Sequence, residues 1–270
     1  MKTIALALTL LAQEKLDVTN PASGAKLWVR VSAPKDASAQ RKYPAVILVP
    51  GGIGFGSQMP PSLPDQVTSK GMVLVIFDPD GRGKSGGTED YNGKIHQDGL
   101  LAVVRAAKKL EYLDRVGIVS LSYGIAMASG MLGRYPDEKV AFYIDWEGPS
   151  DRFWVTVWDR VFDHPGRITF GGHRTSDEEW WKEREAVRFA PLFRCPYLRI
   201  QSERDHVHKE KFGHALQMIA SATGKAPWTR INDNPPDTVF TEEKPPKLLA
   251  PGRRNADLWI PYAMELFARK

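Results

Sequence analysis

Ser122 stands in the stretch Ser120-Leu121-Ser122-Tyr123-Gly124, between the apolar run 116–119 and the small-residue run 125–130. A serine hydroxyl is a weak nucleophile unless a sharp strand-to-helix turn exposes it and a base stands beside it. Small residues two positions before and after the serine, here Ser120 and Gly124, give such a turn its room. The chemistry this points to is attack of Ser122 on an acyl carbon. The five-residue string alone is common; the strand pattern before it and the helix pattern after it give it weight.

Those flanks belong to a longer alternation of short β-branched runs with helical patterns, the spacing of a mostly parallel, doubly wound α/β sheet. The predicted strands are Leu27–Val31, Ala45–Val49, Met72–Phe77, Val116–Val119, Val140–Ile144, Tyr197–Gln201 and Trp228–Ile231. Ala45–Val49 is apolar throughout, as a strand buried on both faces should be. Asp98 is expected to cap a helix carrying Leu100, Leu101, Val103, Val104, Ala107 and Leu110 at helical spacing. Further helices are predicted over 209–221 and 257–268.

Two stretches interrupt the alternation. Residues 150–190 carry Phe153, Trp154, Trp158, Phe162, Phe170, Trp180 and Trp181 around a Gly171-Gly172 break. They read either as an inserted helical cap beside a pocket or as helices whose rings pack on the sheet. Residues 232–255, with Pro235-Pro236, Pro245-Pro246 and Pro251, read as an extended loop. No internal repeat is visible, and residues 1–270 are expected to form a single domain with 150–190 inserted in it.

With 42% hydrophobic and 26% charged residues the chain is expected to fold around one large core. The net charge of +5 is spread by alternation of basic and acidic residues, which excludes a nucleic-acid footprint of the clustered kind. The single cysteine, Cys195, permits neither an internal disulfide nor a cysteine-rich zinc site, and reads as a buried thiol. Met1-Lys2-Thr3 and the apolar residues 4–12 have the start of an export signal but fall short of its usual length, so export and a cytoplasmic location both stay open. That stretch is too short to span a bilayer, and no stable membrane insertion is expected.

Four pieces, in this order and each at a strand's carboxyl end, make the chain resemble the α/β-hydrolase superfamily, and more loosely its serine esterases and dienelactone-hydrolase-like members. They are Val49-Pro50-Gly51-Gly52, Asp78-Pro79-Asp80-Gly81-Arg82-Gly83-Lys84-Ser85, the turn at Ser122, and Gln201-Ser202-Glu203-Arg204-Asp205-His206-Val207. The resemblance covers most of the chain. It implies an α/β-hydrolase fold, Ser122 as nucleophile, and the backbone N–H groups of Gly52 and Tyr123 as oxyanion donors. It also implies Asp205 as the acid that orients the base. The segment 80–85 lacks the spacing of a phosphate loop and reads as a structural turn below the site.

The resemblance calls for a histidine after the last strand, and the sequence has none there: its last histidine, His214, precedes Trp228–Ile231. His206, beside Asp205, is the first choice for a displaced base, because it can project from the strand end toward Ser122. His173, in the aromatic insertion, is the second. His164 and His208 are further candidates; His96 reads as a helix-start residue and His214 as a helix-surface one. Asp145 and Glu147, after Val140–Ile144, read as pocket-wall residues, also able to bind a cation or share acid and base roles. A metal site from His173, Asp205, His206 and Glu147 lacks any recognised spacing, so no metal is expected.

The sequence reading is therefore a serine-dependent hydrolase of carboxylic esters or related acyl substrates, with Ser122, Asp205 and His206 as its catalytic residues. Its expected partner is a small-molecule acyl substrate, and acyl transfer needs no organic cofactor. Two rivals stand beside it: a binding protein that kept the fold without the chemistry, and a hydrolase-fold enzyme working through the pocket carboxylates. The oligomeric state is left open.

Overall fold

Strands that are apolar on both faces need cover on both sides, and the computed structural model provides it. It describes residues 12–155, 176–207, 212–250 and 258–269. The strands are β1 (Ala12–Thr19), β2 (Lys26–Ala33), β3 (Tyr43–Val49), β4 (Val73–Phe77), β5 (Leu113–Leu121), β6 (Tyr143–Trp146), β7 (Tyr197–Ile200) and β8 (Thr229–Ile231). They form one sheet in the order β1-β2-β4-β3-β5-β6-β7-β8. The pairs β1/β2 and β2/β4 are antiparallel and every later pair is parallel.

The helices are α1 (Leu63–Thr68), α2 (Lys94–Ala107), α3 (Gly124–Arg134), α4 (Glu178–Lys182), α5 (Ala186–Phe189), α6 (Gly213–Ala222) and α7 (Trp259–Ala268). Side-chain alternation divides the core into two layers. Ala45, Ile47 and Val49 of β3 face Val103 and Val104 of α2, Met127 and Met131 of α3, and Met218 and Ile219 of α6. Val46 and Leu48 face the other layer, with Leu63 and Val67 of α1 and Trp259, Ile260 and Phe267 of α7. Burying each such aliphatic side chain contributes roughly 1.5–3 kcal/mol.

The central strands lie where the sequence predicts them, within a few residues at each end. β1, the six-residue α1, which no predicted helix covered, and the start of α2 differ. β1 was not anticipated: Leu16 and Val18 turn to the core while Asp17 stays exposed, and the short alternation sits beside the apolar residues 4–12. Helix α2 begins at Lys94, with Gly93 at its N-cap, so Asp98 lies inside it instead of capping it. The Asp98 carboxylate accepts a hydrogen bond from Tyr135 and pairs with Arg134 at 3.5 Å. Cys195 is buried, and burial pushes its thiol up to about 12.

Sheet order reverses between β3 and β5. β3 leads through α1 to β4 on one side, and β4 leads through α2 to β5 on the other. The crevice at the carboxyl ends of two such strands is where open α/β sheets bind ligands. Gly51 and Gly52 follow β3, and Ser122 follows β5.

Candidate active site

At the end of β5 the chain must stop being extended and start α3 within two residues. Ser122 makes that turn at φ +49°, in the left-handed region that costs a non-glycine residue energy. Its backbone N–H continues the ladder to Trp146 O at 2.8 Å, and Ile125 N–H donates to Ser122 O at 3.0 Å, so both flanks hold the strained residue. Close packing fixes the neighbours. A Cβ on Gly124 would lie 2.6 Å from Pro50 O, and one on Gly51 would lie 2.5 Å from Leu121 O and 3.0 Å from Ser122 Cβ. The loop after β3 is thus pressed against the serine turn. Ser120, where a glycine would also serve, is fully buried and bonded to the Tyr143 hydroxyl at 2.8 Å.

His206 comes from the loop after β7. Its Nε2 is 2.8 Å from Ser122 Oγ, so an imidazole stands at hydrogen-bond distance from the hydroxyl. The ring lies against Trp146, centroids 4.7 Å apart and planes 22° from parallel, which restricts its tilt. Its Nδ1 is 2.9 Å from Glu147 Oε2 and 3.3 Å from Asp205 Oδ1. Two carboxylates therefore face one ring nitrogen, and the nearer is Glu147, not the Asp205 that the resemblance implies.

Glu147 follows β6 at φ +49°, the same unusual conformation as Ser122. Its N–H donates to Ile200 O at 3.1 Å. Oε1 accepts from Ser202 N–H at 3.0 Å, and Oε2 accepts from the backbone N–H of His206 at 3.1 Å as well as facing the ring. The buried carboxylate thus holds both the loop that carries His206 and the imidazole itself.

Asp205 looks two ways. Oδ1 accepts from Val207 N–H at 2.7 Å, while Oδ2 lies 3.1 Å from His214 Nε2 and 3.2 Å from Gln201 Nε2. Burial opposes its ionisation, but the His214 contact, the charges of both histidines and the Val207 N–H hold its carboxyl well below the usual carboxylate range. His214, read as a helix-surface residue, is instead fully buried at the start of α6, with Nδ1 beside Gly148 O and Arg199. Asp145 is also fully buried and paired with Arg199, away from the histidine that Glu147 meets.

Of the residues weighed as metal ligands, Glu147, Asp205 and His206 converge, with ligand atoms within 4.8 Å of one another. The N–H groups of Ser202, His206 and Val207 already bind the carboxylates, an arrangement that fits an imidazole orientated by acids. His173, His164 and His208 lie outside the described residues, as do residues 156–175 of the aromatic stretch. Of that stretch, Trp181 is buried against Tyr123, Ala126 and Val155, with Trp180 edge-on to it at 4.6 Å. Among the described residues no helix is long and apolar enough to cross a membrane.

The sheet order and the placement of the site at its switch point define the α/β-hydrolase fold. Among solved structures the chain is similar to an esterase of Pyrococcus furiosus, with TM-score 0.68 and 15% identity over 96% of this chain and 91% of that one. It is similar to Est1E of Butyrivibrio proteoclasticus, solved with ferulic acid bound, with TM-score 0.66 and 14% identity over 94% and 98%. It also covers 42% of an acylaminoacyl peptidase of Pyrococcus horikoshii with 98% of its own length, at TM-score 0.65 and 18% identity. Identities this low carry the fold alone. No protein-family model matches the sequence, and no curated protein matches it either.

Proposed function

We propose that the chain is a serine hydrolase of carboxylic esters or related acyl substrates, acting through Ser122, His206 and Glu147. The observation that carries the reading is the unbroken contact chain from Ser122 Oγ to His206 Nε2 at 2.8 Å and from His206 Nδ1 to Glu147 Oε2 at 2.9 Å. His206 takes the hydroxyl proton as Ser122 attacks the acyl carbon, then returns it to the departing alcohol oxygen. Water, deprotonated by the same imidazole, then attacks the acyl carbon, and the imidazolium returns that proton to Ser122 Oγ as the acid leaves. Glu147 accepts the Nδ1–H, fixes the tautomer and stabilises the imidazolium, and Asp205 adds a second negative charge at longer range. The N–H groups of Gly52 and Tyr123 receive the developing oxyanion. Tyr123 is the N-cap of α3, where the helix dipole favours negative charge.

Structures of like fold named as esterases and as an acylaminoacyl peptidase support acyl chemistry in general. The rival reading of a chemically idle binding protein drew on the absence of a histidine after β8. An imidazole supplied from the β7 loop removes that motive. Labelling with a fluorophosphonate and locating the adduct by mass spectrometry tests the proposal. The expected result is phosphonylation of Ser122 in the native chain, none in Ser122→Ala, and a rate lowered by orders of magnitude in His206→Ala. A folded native chain that leaves Ser122 unlabelled overturns it.

A further inference from the structure

The loop joining β4 to α2 takes no part in the proton transfers, yet two of its side chains end on the backbone around Ser122. We propose that Arg82 and Asn92 are positioning residues that, by binding the carbonyls of Gly52 and Tyr123, hold the two residues whose N–H groups receive the oxyanion. The inference rests on the hydrolase reading above and assigns a task to residues with no other role in it.

Arg82 is only 4% exposed. Its Nη1 donates to Gly52 O at 3.0 Å and to Gly54 O at 3.3 Å, while Nε and Nη2 form a two-pronged pair with Glu89 at 2.7 and 2.6 Å. Gly54 N–H closes the same turn on Gly51 O at 2.8 Å. The carbonyls of Gly51, Gly52 and Gly54 are therefore all held, and with them the plane of the 51–52 peptide that carries the Gly52 N–H. Gly52 needs its freedom for conformation, not space: φ is +56°, and an added Cβ would meet nothing within 4 Å. A turn this permissive has to be held from outside, and a guanidinium with five donors in a fixed fork can bind Glu89 and two carbonyls at once.

Asn92 does the same for the other donor. Its Nδ2 donates to Tyr123 O at 2.8 Å, from a fully buried position at φ +65°. Its own backbone is anchored at both ends, by N–H to His96 Nδ1 at 3.0 Å and by its carbonyl oxygen, which accepts from Gln97 Nε2 at 3.2 Å. Ser122 O on the preceding peptide accepts from Ile125 N–H, so Tyr123 is fixed on both sides. Donors already aimed at the oxyanion need no reorganisation when charge develops, and a misaimed donor loses rate without losing substrate binding.

Arg82→Lys and Asn92→Asp test this, the first removing the fork and the second placing an acceptor against Tyr123 O. The measurements are kcat and KM for p-nitrophenyl acetate, the inhibition constant of an alkyl trifluoromethyl ketone, and the thermal melt. The expected result is kcat lowered about 10- to 100-fold with KM within about twofold, and ketone affinity weakened in proportion. Folded variants with native kcat and native ketone affinity overturn the proposal, as does a loss confined to KM. If Arg82→Lys does not fold, Glu89→Gln, which keeps Arg82 and loosens its fork, should give the same pattern and is judged by the same criteria. Native protein that fails to label at Ser122 sinks the hydrolase reading itself, whereas labelled native protein with indifferent variants sinks only the role of Arg82 and Asn92.

Discussion

Ser122 has two walls, built on different principles. On the β6–β7 side the groups of the proposed site are side chains, Glu147, Asp205 and His206, with the imidazole partly exposed. On the β3–β4 side they are, in the proposed reading, the backbone N–H groups of Gly52 and Tyr123, whose own carbonyls accept from the buried Arg82, paired with Glu89, and from the buried Asn92. In the proposed reaction the first wall changes its charge and the second stays still. Substituting His206 should therefore cost mainly rate, whereas substituting the buried carboxylates of the first wall or the residues around the second should cost stability as well.

The largest effect is expected at His206. His206→Ala should lower kcat for short-chain p-nitrophenyl esters by about 10⁴- to 10⁶-fold, leaving the residue of rate owed to binding and the oxyanion donors. The melting temperature should fall only modestly, because the ring is partly exposed and its stacking on Trp146 is the main packing it gives up. A large drop in melting temperature would erase the contrast between the walls.

Trp181 sharpens the contrast from the other side. It is 1% exposed and packs on Tyr123, so Trp181→Ala should destabilise the fold by about 3–5 kcal/mol in urea melts. A ring that merely shaped a substrate channel would instead change preference across an ester panel at unchanged stability.

His96 gives the second wall a pH dependence. Burial, with the Arg82 charge adding to it, lowers its pKa from 6.5 to about 4. The neutral ring donates Nε2–H to Asp80 O at 2.9 Å and accepts Asn92 N–H at Nδ1. Because the unfolded chain takes up the proton first, this stability is complete above pH 6.5, falls as the pH drops toward 4, and is then constant. At 1.36 kcal/mol per pH unit the whole effect is on the order of 3 kcal/mol. Urea melts at pH 7.5 and 4.5 should show a smaller difference for His96→Gln than for the native chain; equal differences would contradict the assignment.

The two walls were also unequally legible. The glycines after β3, the Ser122 turn and the apolar strands are short-range patterns, in which neighbours in sequence decide the geometry. His206 was legible for the same reason, lying at a strand end. Glu147 was visible as a carboxylate after β6, but ranking it above Asp205 needs the distance across two strands to His206. The resemblance pointed to the β7 loop for the acid, while in the proposed reading that loop supplies the base and the nearer acid comes from one strand earlier. His214 and Asp98 carry polar groups into the core, where apolar periodicity gives no sign of them. Among the described side chains of β1, two apolar ones, Leu16 and Val18, turn inward among charged neighbours, too few to announce a strand.

In the proposed mechanism His206 is served chiefly by Glu147. Measuring kcat/KM for Glu147→Gln and Asp205→Asn side by side, on one ester at one pH, tests it most directly. Glu147→Gln should lose about 10³- to 10⁴-fold, because an amide cannot accept the Nδ1–H and stabilise the imidazolium as the carboxylate does. Asp205→Asn should lose about tenfold or less. A larger loss in Asp205→Asn than in Glu147→Gln, with both variants folded, would make Asp205 the partner of His206 instead.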